Sequence, residues 1–207
     1  MPPATAAAPA TTRPRTKPAV VRREELMDAA QALFLDKGFD ATSVDEIVAQ
    51  AGVAKGTFYF HFKTKDDVLR ALRERFVVKF HERLESAVAA CAPDDWSGRL
   101  EAWMEAAVDG YLDQFALHDL VFHEFRPSSR RMQHDNPITR HLATLIADGA
   151  QNGAWTAPYP RLMAAMLFGG FHGAVDEEIV APSKTTRQRL TAEVLRFCRM
   201  ALGLACS

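Results

Sequence analysis

Little in this chain speaks for a disulfide scaffold, a membrane span or a metal cluster. Its 207 residues include only three cysteines, Cys91, Cys198 and Cys206, scattered and odd in number. That usage argues against a disulfide framework and against a paired-cysteine metal site. Long hydrophobic runs are missing as well. The longest strongly apolar stretch, residues 162–175, has 14 residues and contains His172, against the roughly 20 needed to cross a bilayer. Charge of one sign is not in excess: 25 Lys+Arg face 26 Asp+Glu, a formal net charge of −1. No phosphate-binding loop, GxSxG elbow, HExxH pair or dinucleotide fingerprint occurs, so a helical enzyme has no motif to rest on. No cofactor is implied.

What is present is the balance of a globular protein, 48% hydrophobic and 25% charged. The length allows one large domain, or a small one joined to a larger. The charge is unevenly spread. Residues 1–23 carry Arg13, Arg15, Lys17, Arg22 and Arg23 and no acidic residue, and the segment 1–65 is +2 while 66–207 is −3. A basic end on an acidic body points to an anionic partner for that end. Residues 1–21 form a basic leader rich in Pro, Ala and Thr, with too little to bury to be ordered when free. It lacks the apolar core of a signal peptide, which predicts a cytoplasmic protein with no membrane partner.

From Arg22 onward the spacing is helical. Leu26, Ala29, Ala30, Leu33 and Phe34 repeat every three or four residues, and Gly38 ends the run. Ser43 and Glu46 have capping-box spacing and open a short helix that stops before Gly52. Residues 54–60 give barely two more turns, and Thr64 caps a long helix with Val68, Leu69, Leu72, Phe76, Phe80, Leu84 and Val88 on one stripe. Further helices are predicted over 99–117, 119–125, 137–151, 160–180 and 184–202, with a polar loop over 126–136. No alternating strand pattern and no internal repeat is seen. The chain reads as all-α.

Three short helices with a tight turn at Ala51-Gly52-Val53, followed by a long helix, have the layout of a helix-turn-helix. In the segment after the turn, Phe58 and Phe62 are four apart and can point into a small core together. Lys55 and Tyr59, also four apart, share another face, and Gly56 beside them opens a gap for close approach. A cation, a hydroxylated ring and a gap suit the DNA major groove, where side chains meet base edges and phosphates.

The run Thr42-Ser43-Val44-Asp45-Glu46-Ile47, followed by Ala51-Gly52-Val53-Ala54-Lys55-Gly56-Thr57-Phe58-Tyr59-Phe60-His61-Phe62-Lys63-Thr64-Lys65, resembles the DNA-binding domain of the TetR family of transcriptional repressors. The likeness covers about residues 22–70. It implies an N-terminal three-helix DNA-binding domain over 22–65 and a helical effector-binding and dimerisation domain over 66–207. It also implies roles. Thr42 and Ser43 stand where the second helix meets a phosphate; Lys55, Gly56 and Thr57 enter the groove; Tyr59 and His61 touch backbone or base; Lys65 anchors a phosphate. His61 stands where Tyr is frequent, and Phe60 where His is frequent. Arg13, Arg15 and Lys17 are positioned to add a minor-groove arm.

Other expectations concern the rest of the chain. Gly169, Gly170 and Gly173 lie within the helix over 160–180, where each costs up to about 1 kcal/mol relative to Ala. They allow a partner helix to come close, and the last helix has a wide apolar face, so the last two helices are expected to pair in a twofold homodimer. Trp103, Phe122, His123, Phe168 and His172 are the candidate lining of an effector pocket, favouring a small hydrophobic or aromatic molecule. The acidic run Asp176-Glu177-Glu178 reads as solvated. His118 and His123 are five apart, off the spacing that aligns metal ligands on one helical face, and no metal site is expected. The predicted function is a ligand-responsive regulator, a repressor, whose dimer binds a palindromic double-stranded operator and is released by its effector. A corepressor response is the alternative.

Overall fold

A computed structural model describes residues 18–124, 136–182 and 185–204, the side chains of residues 123 and 124 excepted. Among them every regular element is helical. The first is α1, Ala19–Lys37, followed by α2, Val44–Ala51, α3, Lys55–His61, and α4, Lys65–Ala89. Next come α5, Trp96–Asp113, α6, Phe115–Asp119, and a π-helical turn over Leu120–Glu124. The chain ends in α7, Pro137–Gln151, α8, Pro160–Val180, and α9, Arg187–Ala201.

Local chemistry sets most of these bounds. The Ser43 hydroxyl accepts from the Glu46 amide while the Glu46 carboxylate accepts from the Ser43 amide, and Thr64 and Asp67 repeat the arrangement at the start of α4. Gly52 takes a left-handed conformation, φ 63°, which turns the chain between α2 and α3 at no steric cost. Asn136 caps α7 and Pro137 occupies its first turn, where a missing N–H costs nothing.

Three bounds differ from the expectation. α1 begins at Ala19, capped by Pro18, so residues 19–21 belong to this helix and not to the leader. Residues 1–17, including Arg13, Arg15 and Lys17 of the expected arm, lie outside the described residues. α5 begins at Trp96 because the Asp95 carboxylate accepts from the Gly98 amide, starting a helix inside what reads as a connection. The expected helix over 99–117 is also broken at Gln114.

The first three helices and the start of α4 enclose Leu26, Ala30, Phe34, Ile47, Phe58, Phe62, Val68 and Leu72, all buried. α4 continues out of this small core into a larger one, packing on α5 and α7, while α5 also packs on α8 and α9. α4 is thus common to both cores. Arg75, on α4, fixes its relation to α1: its guanidinium donates to Glu24, Asp28 and Gln31 at 2.7–2.9 Å.

Candidate nucleic-acid interface and helical-domain cluster

α3 has seven residues and could not persist alone. Phe58 and Phe62 anchor it by burial, and that anchoring leaves its other sides to solvent. Tyr59 is 53% exposed and Phe60 76%. A groove runs between α3 and the first turn of α1, bordered by Ala19, Arg22, Gly52, Gly56, Phe60 and His61. Gly56 is instructive. A Cβ built there meets nothing within 4 Å, and its backbone is not left-handed. No internal packing calls for glycine at this helical position, although Ala would be the better helix former. The space in front of Gly56 is open to something outside the chain.

Lys55 is exposed, and its ammonium lies 2.7 Å from the Asp45 carboxylate of α2. The hydrogen bond to Asp45, reinforced by its charge, raises the Lys55 pKa above the ordinary lysine value. Ser43 is exposed and engaged in its capping box. Lys37 donates to Glu46, and that bond together with those from Ser43 pulls the Glu46 carboxyl down to about 2. The N-terminal end of α2 therefore stays fixed and charged at neutral pH.

Two expected contact residues have other partners. Thr42 is 2% exposed; its hydroxyl donates to the Gly38 carbonyl at 2.8 Å and its amide to Phe39 at 3.2 Å. Both donors are used within the fold, so Thr42 ties the start of α2 to the end of α1. The Lys65 ammonium donates to the carbonyls of Phe39, Asp40 and Thr42 at 2.7, 3.1 and 3.2 Å. It also lies 4.4 Å from the centroid of the Phe39 ring. An ammonium has three N–H groups, and Lys65 uses them to tie the α1–α2 connection to α4.

In the larger core the five candidate pocket residues separate. Phe122, Phe168 and His172 gather around Tyr111 and His118: ring centroids lie 4.6 Å apart for His118–Phe122, 4.2 Å for Phe168–His172 and 4.8 Å for Tyr111–His172. Trp103 is fully buried beside this group, edge-on to Phe171, and donates to His141 Nδ1 at 3.3 Å. His123 falls on the π-helical turn, and its side chain lies outside the described residues.

Other members of the cluster, Tyr111, His118, Asp176 and Arg73, escaped the sequence reading of the pocket. The Tyr111 hydroxyl donates to Asp176. Burial, then this carboxylate, pushes the Tyr111 phenol well above its ordinary value. Asp176 is half-buried rather than solvated, which corrects the reading of the acidic run. Arg73, on α4, stacks over the Phe122 ring at 4.8 Å. The spacing of His172 and Asp176, four apart on one helix, was the available signal; nothing local links Tyr111 to a carboxylate 65 residues away. Burial lowers the His172 pKa, so its imidazole is neutral at pH 7. No group of three or more His, Cys, Asp or Glu side chains among the described residues is arranged to hold a metal ion. No helix among them is long and apolar enough to cross a membrane.

Comparison with known proteins agrees with this architecture. The model of the family described as bacterial regulatory proteins, tetR family, matches residues 26–72. The fatty acid metabolism regulator protein of Bacillus subtilis is 38% identical over 64 residues, 31% of this chain and 33% of that protein. The transcriptional activator FasR of Mycolicibacterium smegmatis is 35% identical over 98 residues, 47% of this chain and 42% of that protein. These alignments thus span between a third and a half of the relatives they match. The whole fold is shared with FadR of Bacillus subtilis, solved in complex with stearoyl-CoA: TM-score 0.69, 24% identity, 88% of this chain and 99% of that one. The family model spans the capped α2, the glycine turn and the exposed α3, and over residues 26–72 this chain is similar to the TetR family of bacterial regulatory proteins.

Proposed function

We propose that this chain is a ligand-responsive repressor that binds a palindromic operator as a homodimer. The observation that carries the reading is Gly56, a helical glycine with open space before it and no internal reason to be glycine. Ser43, Lys55, Gly56, Thr57, Tyr59 and His61 are the contact residues, and Thr42 and Lys65 hold them in place from behind. The DNA-binding unit is residues 22–65 together with the first turn of α1, and residues 66–207 receive the effector and the second subunit.

The homodimer is supported by the outer face of α8 and α9. Leu162, Met166, Phe197 and Met200 are exposed there, and a Cβ at Gly169 or Gly173 meets nothing within 4 Å. A twofold pairing of these helices buries that face and sets two copies of α3 about one DNA turn apart, ~34–36 Å, matching a palindrome.

The effector is a small hydrophobic or aromatic molecule entering among Phe122, Phe168 and His172, with the Tyr111–Asp176 pair as the polar anchor. The stearoyl-CoA of the Bacillus subtilis FadR complex makes an acyl chain the first compound class to try. Arg73 and Phe76 of α4 touch the cluster, and Arg75 of the same helix grips α1. A displaced α4 therefore carries α1 and the recognition helix with it. The effector releases DNA only by binding the DNA-incompetent arrangement more tightly. The opposite sign, a ligand that binds the DNA-competent arrangement more tightly and strengthens DNA binding, is the second reading.

A mobility-shift assay with DNA from the region upstream of the chain's own gene tests the proposal. Specific retardation that weakens with rising salt is expected. The double replacement Lys55→Ala, Tyr59→Ala is expected to abolish it in a chain that remains a folded dimer by light scattering. Retention of specific binding by that variant refutes the assignment.

A further inference from the structure

The recognition helix carries an apolar group that the fold does not use. α3 sinks Phe58 into the core and Phe62 follows it there, yet Phe60 between them is 76% exposed. Its ring stands edge-on to His61, centroids 4.9 Å apart. Phe60 lies one helical turn beyond Gly56, so the open space at Gly56 and the projecting ring share one side of the helix and border the same groove. Hydrogen-bonding groups surround this ridge: Lys55 and the Tyr59 hydroxyl on the adjoining face, Arg22 across the groove, and His61 beside it.

The edges of DNA bases in the major groove are almost wholly hydrogen-bond donors and acceptors. The exception is the C5 methyl of thymine. A phenyl ring brought against a polar edge desolvates it without replacing the lost bond, which is unfavourable. Brought against the methyl, it removes apolar surface from water on both sides. Cytosine in the same place withdraws the methyl and sets an amino donor against the ring, so the contact discriminates as well as binds.

We propose that Phe60 is a specificity-determining residue that packs on the methyl group of one thymine in each operator half-site. Gly56 lets the helix come near enough for the ring to reach the base edge, and Lys55 and Tyr59 supply the neighbouring polar contacts. The inference rests on the DNA-binding reading above and adds to it the identity of a base.

The experiment uses a duplex selected from a randomised pool by the full chain. Each thymine of the selected site is replaced in turn by deoxyuridine, which removes the methyl and leaves the hydrogen-bonding edge intact. At one position per half-site the unmodified chain is expected to bind about fourfold more weakly, the effect of one methyl-sized group. Phe60→Ala and Phe60→His are expected to bind the thymine and uracil duplexes equally there. Photo-crosslinking of the unmodified chain to 5-iodouracil at that position, mapped by mass spectrometry, is expected to mark Phe60, and this readout holds even if the variants bind too weakly to titrate. The inference is overturned if no thymine in the site responds to demethylation, if the variants respond as the unmodified chain does, or if the crosslink falls only on other residues. Failure of the full chain to select any sequence overturns the DNA-binding reading itself, a result distinct from specific binding that ignores the methyl.

Discussion

The Lys55 ammonium lies 2.7 Å from the Asp45 carboxylate, so α3 meets solvent with its cation already engaged by α2. In the proposed complex a phosphate or base edge at Lys55 competes with that carboxylate, and Asp45 adds a negative charge beside it. Asp45→Asn removes the charge and keeps a hydrogen-bond acceptor. DNA affinity is expected to rise by about threefold to tenfold, with the salt dependence steeper by about one counterion. Fluorescence anisotropy titrations at several salt concentrations measure both. Unchanged affinity and slope mean that Lys55 does not work against phosphate.

Gly56 separates stability from function. Open space surrounds its missing Cβ, so Gly56→Ala introduces no clash within the chain and improves helix propensity by up to about 1 kcal/mol. Thermal unfolding is expected to move up by a few degrees. DNA affinity is expected to fall at least about tenfold, because the methyl occupies the space through which the helix approaches the groove. Opposite movement of the two quantities is the signature. A stabilised variant with undiminished affinity removes Gly56 from the interface.

Lys65 tests the reverse case. Its three carbonyl contacts close the α1–α2 connection onto α4, and Lys65→Met keeps the length of the stem while removing every donor. Loss of the charged hydrogen bonds is expected to cost about 1–3 kcal/mol in urea unfolding. DNA affinity at low temperature, with the chain folded, is expected to change little in its salt slope. A fully stable variant with a shallower slope would return Lys65 to the phosphate-anchoring role.

These residues also show what a sequence can disclose. Capping boxes and the glycine turn are local, decided within a few residues, and the helix-turn-helix layout was legible from them. Lys65, with partners 23 to 26 residues away, and Tyr111, with its partner 65 residues away, are not. Their hydrogen bonds exist only once the chain has folded. Asp176 misled for the same reason: an acidic run at a helix end is solvated by default, and only the packing of α5 on α8 supplies the buried phenol that claims one of its carboxylates. Phe168 and His172 were legible as a pair four apart, whereas Trp103 belongs to the adjacent core because its indole is committed to His141.

The Tyr111–Asp176 contact yields a prediction for the effector domain. Tyr111→Phe keeps the ring in its cluster and removes the hydroxyl, leaving a half-buried carboxylate without that donor. Stability is expected to fall by about 1–3 kcal/mol, and the concentration of effector needed to release DNA is expected to rise, because the polar anchor is gone. Replacement at Trp103 by Phe is expected to lower stability without that rise. Denaturant unfolding and effector titration of the DNA complex distinguish the two outcomes. Equal effector response in Tyr111→Phe and the unmodified chain places the ligand elsewhere.

Two half-buried histidines give stability a dependence on pH. His141 accepts the indole hydrogen bond of Trp103 at Nδ1 and lies against His81, ring centroids 5.1 Å apart. Burial, with the nearby His81 adding to it, holds His141 below the ordinary histidine value of 6.5, and burial does the same for His172. The unfolded chain therefore takes up protons at both sites as pH falls through about 6.5, while the folded chain resists. More protons on the unfolded state means that stability declines as pH drops below this point and is fully retained above it. Glu46, held at about 2 against an ordinary 4.5, adds to the decline only once pH falls below about 4.5. The urea midpoint is accordingly expected to decrease steadily from about pH 7 to pH 5. His141→Gln, whose amide oxygen can accept from Trp103 and does not titrate, is expected to flatten part of that decline, and an identical slope in the variant would mean that His141 protonates as freely in the folded chain as in the unfolded one.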